Sequence, residues 1–107
     1  MSKYKNAKTV VDGIKFDSKG EAARYRELVL LQNAGKIDGL ELQVPFVLID
    51  KSKYGRKVTY KADFTYHDSE TGEYIVEDFK GVRTPVYRLK RRLMAEVLGI
   101  VIFETGR

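Results

Sequence analysis

Residues 58–80 place the strongest constraint on the fold, because they contain two strand-like segments joined by a short polar turn. In Val58–His67, apolar and polar side chains alternate with the period of two that is typical of a half-buried strand. The polar stretch HDSETG predicts a hairpin loop, after which YIVEDFK returns as a second apolar segment. We therefore predict an antiparallel pair in which Tyr74–Lys80 lies beside Val58–His67.

A helix and a further strand are predicted before this hairpin. Ser18 and Glu21 have the spacing of a capping box, and apolar residues then recur at helical spacing, so we expect a helix over Lys19–Ala34. Ile37–Asp50 is rich in apolar and β-branched residues and predicts a strand that is broken or bulged near Pro45.

A second helix and a last strand are predicted after the hairpin. Thr84 is placed to cap a helix with Pro85 in its first turn, and Gly99 is placed to end it. Ile100–Phe103 then predicts a short buried strand. The helix is expected to bury an apolar stripe of Val86, Leu89, Leu93 and Val97. The predicted class is α/β, in the order helix, three strands, helix, strand.

The composition fits one domain over residues 1–107, with residues 1–17 as a basic N-terminal arm. The absence of cysteine excludes a disulfide framework, a thiolate zinc site and a thiol nucleophile, and fits a reducing cytoplasmic location. Nowhere do about 18 apolar residues run together, as a membrane-spanning helix requires. We therefore expect a protein that is neither secreted nor embedded in a membrane.

The net charge of +5 is concentrated in two basic clusters, one after the hairpin and one around the turn near Gly55. Clustered cations of this kind favour a nucleic-acid backbone as partner, although a solvated helix face and a solvated loop would carry the same charges. The candidate DNA-binding residues are Arg83, Thr84, Arg88, Lys90, Arg91, Arg92, Lys53, Arg56 and Lys57.

Acidic residues on the two hairpin strands indicate a possible metal site. Asp78 and Lys80 are two residues apart and so share a face of one strand, while Asp63 lies on the partner strand. Two carboxylates on neighbouring strands can converge on one divalent cation, and magnesium suits such a site. A lysine beside them can orient the attacking water, so the set fits phosphodiester hydrolysis. A solvated Asp63 and an ordinary Asp78–Lys80 ion pair are the alternatives.

The stretch YKADF followed by DFK on the return strand resembles the signature of the PD-(D/E)xK nuclease superfamily, including small phage-encoded nucleases and archaeal-type Holliday junction resolvases. The resemblance covers nearly the whole chain and implies a restriction-endonuclease-like core with a mixed sheet flanked by helices. Asp63 and Asp78 would be metal ligands and Lys80 the catalytic lysine, with the main-chain carbonyl of Phe79 as a further ligand. Ala62 stands where the named motif has proline.

Three more polar residues are assigned less directly. Many members of the superfamily add a glutamate from the first helix, which the resemblance matches to Glu21, although the capping box also explains that residue. Glu77 alternates onto the face opposite Asp78, so we expect it to support the site without binding the metal. Gln43 lies in a strand that can approach the same face, and it would otherwise simply be exposed.

The sequence therefore predicts an endonuclease that hydrolyses DNA with Mg²⁺ or Mn²⁺ and acts as a homodimer. Branched DNA, such as a Holliday junction in phage recombination or replication, is one candidate substrate, and a phage-encoded enzyme would work in the bacterial host cytoplasm. Two alternatives remain open at this point. One is a non-catalytic nucleic-acid-binding module on the same fold, and the other is a structural or interaction subunit of a phage particle.

Overall fold

The computed structural model describes residues 8–79 and 83–106. A mixed four-stranded sheet in the order β3-β4-β5-β6 lies between two helices, and a small two-stranded sheet precedes it. β3, β4 and β5 are antiparallel, while β6 is parallel to β5. The α/β class and the order of the main elements are confirmed. The elements are β1 (Thr9–Val11), β2 (Ile14–Phe16), α1 (Lys19–Asn33), β3 (Ile37–Ile49), β4 (Val58–Asp68), β5 (Tyr74–Phe79), α2 (Pro85–Leu98) and β6 (Phe103–Thr105).

Helix α1 begins and packs as its sequence predicts. The hydroxyl of Ser18 accepts a hydrogen bond from the backbone N–H of Glu21 at 3.1 Å, so the predicted N-cap is present. Ala22, Tyr25 and Leu28 face the sheet and are buried. They form one core cluster with aromatic residues of β2 and β4, and this cluster holds α1 on one face of the sheet.

Helix α2 has the predicted ends but not the predicted buried face. Thr84 caps it, and Gly99 ends it at a φ of 70°. The buried residues are Tyr87 and Met94, which pack in a second core cluster with residues of β3, β4 and β5. Successive residues are about 100° apart around a helix, so this contact turns most of the apolar stripe away from the sheet. Val86, Leu89 and Val97 are 63%, 57% and 53% exposed, so their expected burial is wrong, whereas Leu93 is partly buried and packs against this cluster.

The alternation in β4 is interrupted partway along the strand. Tyr60 and Ala62 pack in the α2 cluster, whereas Phe64 and Tyr66 pack in the α1 cluster, although regular alternation would place all four on one face. The change occurs opposite Gln43 of β3, whose φ of 54° is left-handed. The paired strands therefore change face together at this point. Strand β3 continues unbroken through Pro45, so the predicted break there is absent. Its register against β4 shifts between Asp38 and Glu41 and between Val47 and Ile49.

The two ends of the chain differ from the predictions. Residues 1–7 lie outside the described part, but β1 and β2 form a hairpin where only a basic arm was expected. Its turn is Asp12-Gly13, and both residues have a positive φ. An Asp-Gly pair between apolar segments is typical of a two-residue hairpin turn. At the other end, β6 begins at Phe103 and not at Ile100. Phe103 is 49% exposed because β6 is the outermost strand, so the expected buried strand is also wrong.

Candidate active site

Asp63 and Asp78 lie across from each other on neighbouring strands. Phe64 pairs with Glu77 in the antiparallel register. Asp63, which precedes Phe64, therefore lies opposite Asp78, which follows Glu77. The Oδ2 atom of Asp63 accepts a hydrogen bond of 2.8 Å from the backbone N–H of Phe79. The two carboxylates predicted as metal ligands are therefore on adjacent strands at the point where β4 changes face.

Asp78 is almost completely buried, at 1% exposure. Its Oδ2 atom accepts a hydrogen bond from the hydroxyl of Tyr60. Burial, followed by this hydrogen bond and the negative charge of Asp78, raises the pKa of Tyr60 well above its usual value. The phenol therefore stays protonated and acts as a donor that supports the carboxylate.

Glu21 brings a third carboxylate to the same place from the first turn of α1. It is 8% exposed, and burial raises its pKa to about 7, with further contributions from the charges of Asp63 and Asp17. The proximity of Asp63 is part of the cause, because a hydrogen bond between the two side chains also raises this pKa. The structure thus places the carboxylate of Glu21 beside that of Asp63.

Glu77 is buried on the opposite face from Asp78, as alternation predicts. Its carboxylate accepts hydrogen bonds from Arg24 at 2.6 and 3.0 Å, from the hydroxyl of Tyr66 at 2.6 Å and from the hydroxyl of Thr105 at 2.8 Å. These donors come from α1, β4 and β6. With both oxygens engaged at 0% exposure, Glu77 joins α1 to the sheet beneath the site.

The aromatic ring of Phe79 fills a narrow space between two glycines. A β-carbon on Gly20 would lie 2.7 Å from the ring, and one on Gly106 would lie 2.9 Å from it. Both distances are shorter than real contacts, so a larger residue at either position would have to displace the ring. The ring thereby fixes the first turn of α1, which carries Glu21, against the strand that carries Asp78.

Gln43 also lies near the site, as expected. Its side-chain amide is 3.4 Å from the Oδ1 atom of Asp63, a long contact for a hydrogen bond. Its left-handed φ of 54° is uncommon for a residue other than glycine and places it opposite Asp63. Backbone strain of this kind is concentrated at functional sites.

The oxygen donors suit a hard divalent cation. Magnesium binds one or two carboxylates and completes its coordination with water and phosphate, which the Asp63–Asp78 pair satisfies. Across residues 8–79 and 83–106, no group of three or more His, Cys, Asp or Glu side chains could hold a metal ion. Lys80, the predicted catalytic lysine, lies outside the described residues.

Three arginines in or just before α2 are paired with carboxylates of the same chain. Arg83 and Arg91 lie 3.0 and 2.8 Å from the carboxylate oxygens of Glu104. Arg92 lies 2.8 Å from Glu96, one turn further along the helix. Of the predicted DNA contacts on α2, only Arg88 and Lys90 form no ion pair with any residue that the structure describes.

The second basic cluster lies at the tip of the β3–β4 hairpin, residues 51–57, which we call the hairpin tip. Reciprocal backbone hydrogen bonds of 3.0 and 3.2 Å between Ser52 and Gly55 close its turn. Tyr54 is 88% exposed, and the ammonium of Lys53 lies 5.3 Å from the centre of its ring. The predicted contacts Lys53, Arg56 and Lys57 are all exposed.

Several residues that shape the site were not identified from the sequence. Arg24 follows Glu21 by one helical turn, and this spacing is the available signal that both project from one side of α1. Tyr60 and Thr105 gave no local signal, because they reach the acids only through the pairing of distant strands.

A family model matches residues 1–99 and is described as protein of unknown function (DUF1064). The chain belongs to the DUF1064 family. No curated protein and no solved structure matches the chain significantly. Within the described part of this DUF1064 protein, neither helix is long and apolar enough to cross a membrane.

Proposed function

We propose that the protein is a metal-dependent DNA endonuclease with a PD-(D/E)xK-type site in a restriction-endonuclease-like core. One observation carries the proposal: Asp63 of β4 lies beside both Asp78 of β5 and Glu21 of α1. Glu21 and Asp78 are buried and Asp63 is partly buried, and a solvated residue or a simple helix cap would not require these carboxylates to converge. Removing several carboxylates from water costs free energy, and such clusters are found mainly at functional sites.

Asp63 and Asp78 would hold Mg²⁺ or Mn²⁺, with the main-chain carbonyl of Phe79 and the carboxylate of Glu21 as further ligands. The bound ion would lower the pKa of a water molecule and offset charge that develops on the phosphate. Burial and the charge of Asp63 raise the pKa of Glu21 to about 7 without a metal, and a bound cation would favour its carboxylate form. Lys80 would orient the attacking water, as the sequence resemblance implies.

DNA would reach this site as a phosphate backbone guided by basic residues. A homodimer would give so small a chain enough surface to bind a duplex or a junction, and the enzyme would act in the cytoplasm. Branched DNA is the substrate that the resemblance favours, in phage recombination or replication.

A non-catalytic nucleic-acid-binding module is the second candidate. It is favoured by the lack of a three-residue metal-binding group among the described side chains. It would also be consistent with carboxylate oxygens of Asp63 and Asp78 that accept hydrogen bonds from the protein itself.

A cleavage assay separates the two candidates. The purified protein is incubated with linear, circular and branched DNA in the presence of Mg²⁺, Mn²⁺, Ca²⁺ or EDTA. A nuclease should cut with Mg²⁺ or Mn²⁺ and poorly with Ca²⁺, whose looser coordination organises the attack less well. Cleavage that persists in EDTA would contradict the metal mechanism, and binding without cleavage would support the module.

Matched variants assign the acids. Asp78→Asn should abolish turnover, whereas Glu77→Gln should retain a measurable fraction, because Glu77 supports α1 from the other face. Glu21→Gln keeps the N-cap of Ser18 and tests the carboxylate alone. Wild-type cleavage by Glu21→Gln would limit that residue to a role in folding.

A further inference from the structure

The hairpin tip presents an aromatic ring to solvent on a well-defined turn. Tyr54 lies in a turn closed by two backbone hydrogen bonds, and its own N–H donates to the hydroxyl of Ser52 at 3.1 Å. Despite this order, its ring is 88% exposed, the highest value among the exposed large hydrophobic residues of the described chain. An exposed tyrosine on an ordered turn loses little conformational entropy when it stacks on a ligand.

The charge around this ring is uncompensated. Lys51, Lys53, Arg56 and Lys57 are exposed, and none forms an ion pair with a residue in the described ranges. Cations that are not neutralised by the protein remain available to phosphates, which release counterions on binding. An anionic ligand with a flat face therefore fits the tip better than a protein surface that is neutral or carries few acidic residues.

The tip is far enough from the candidate active site to form a separate contact. Val58 and Asp63 are five residues apart on β4, which corresponds to about 17 Å along a strand. The tip lies beyond Val58, so a strand of nucleic acid stacked at 3.4 Å per nucleotide would need about five nucleotides to span this distance.

We infer that the hairpin tip binds an unpaired nucleic-acid strand, with Tyr54 stacked on a base and the surrounding cations on the phosphates. In a duplex the base faces are covered by neighbouring base pairs, so a protruding ring can stack only where a base is unpaired or at a helix end. The inference rests on the proposed function and gives that nuclease a substrate class, namely DNA with a single-stranded region.

The test measures binding without cleavage. Fluorescein-labelled oligothymidylate and a duplex of the same length, with both ends closed by non-nucleotide linkers, are titrated with protein in EDTA, and anisotropy is recorded. Tyr54→Ala should weaken oligothymidylate binding about 5- to 150-fold, which corresponds to roughly 1–3 kcal/mol for one stacked base. Its affinity for the duplex should stay within about twofold, because phosphate contacts remain.

Two control variants isolate the stacking contact. Tyr54→Phe keeps the ring and should bind oligothymidylate within about twofold of wild type. Tyr74→Ala removes another exposed tyrosine, 42% exposed at the start of β5, and should change neither affinity. Because Tyr54 belongs to neither core cluster, circular dichroism should show the same fold for both Tyr54 variants.

The outcomes separate this inference from the proposed function. Equal losses on both DNAs, an unchanged affinity of Tyr54→Ala, or a loss in Tyr54→Phe as large as that in Tyr54→Ala would overturn the tip as a stacking site. Failure of the wild type to bind oligothymidylate would do the same and leave a protein partner as the occupant of the tip. If binding depends on Tyr54 but the wild type does not cleave DNA in Mg²⁺, the proposed nuclease activity is rejected. The hairpin tip then remains a stacking site.

Discussion

Two basic regions that look alike in the sequence differ in what their charges contact. In α2 and just before it, Arg83, Arg91 and Arg92 are paired with Glu104 or Glu96. At the hairpin tip, the cations are exposed and form no ion pair within the described residues. The α2 cluster is therefore partly a structural network, whereas the tip retains its charge for a partner.

Counting charges along a sequence therefore overestimates the charge that is available to a ligand. An arginine that already contacts a carboxylate of its own chain must break that contact, or share it, before it neutralises a phosphate. The tip is consequently the stronger candidate for backbone binding, and α2 contributes mainly through Arg88 and Lys90. Four experiments test this ranking.

The largest effect is expected when the tip loses its charge. Each cation lost from a phosphate contact lowers the slope of log affinity against log salt by roughly 0.9, so four losses should lower it by about 3 to 4. Duplex binding measured by anisotropy across a salt series in EDTA gives this slope. The variant replaces Lys51, Lys53, Arg56 and Lys57 with Ala. A slope that does not change would place the DNA elsewhere and reverse the ranking.

Glu104→Gln should free Arg83 and Arg91 to contact DNA, as the exposed cations of the hairpin tip can. The carboxylate of Glu104 holds Arg83 and Arg91 and accepts a hydrogen bond of 2.6 Å from Tyr87. Its neutralisation should release both arginines and raise the salt slope by up to about 2. The same change should lower the free energy of unfolding by about 1–3 kcal/mol, which chemical denaturation measures. Weaker DNA binding in this variant would show that the network itself positions the DNA contact.

Single substitutions within α2 should have unequal effects. Arg88→Ala and Lys90→Ala should each lower the salt slope by about 0.9 if they contact phosphate, because neither is paired within the described residues. Arg91→Ala and Arg92→Ala should each lower it by less than half of that, since their charges are engaged by Glu104 and Glu96. Four equal decreases would mean that intramolecular pairing does not limit these arginines.

The smallest effect is expected from pH. Burial tends to raise the pKa of Glu104, but hydrogen bonds from Tyr87, Arg91 and Arg83 outweigh it and leave the pKa below its usual value of 4.5. The stabilisation is therefore present above about pH 4.5 and is lost as the pH falls through the lowered pKa. Thermal unfolding between pH 6 and pH 3 should show this loss in wild type and a weaker pH dependence in Glu104→Gln. Identical profiles would rule out a contribution from Glu104.

Much of the local structure could be predicted from sequence because its causes are local. The capping residues Ser18 and Thr84 and the stop at Gly99 act within a turn of their helices. Alternation correctly placed Glu77 and Asp78 on opposite faces, because adjacent residues of a regular strand always point apart. The Asp12-Gly13 turn has an equally local cause, although no hairpin was predicted there.

Tertiary structure alone decided which charges and faces meet. The left-handed Gln43 and the change of face beside it depend on pairing between β3 and β4, which no period in either strand reveals. The pairing of Arg24 with Glu77 joins residues 53 positions apart, and the burial of Tyr87 in place of Leu89 depends on where α2 docks. Sequence determined the elements and the acids they carry, because backbone geometry is local. The fold determined their partners, because burial and ion pairing depend on distances between segments that the sequence does not contain.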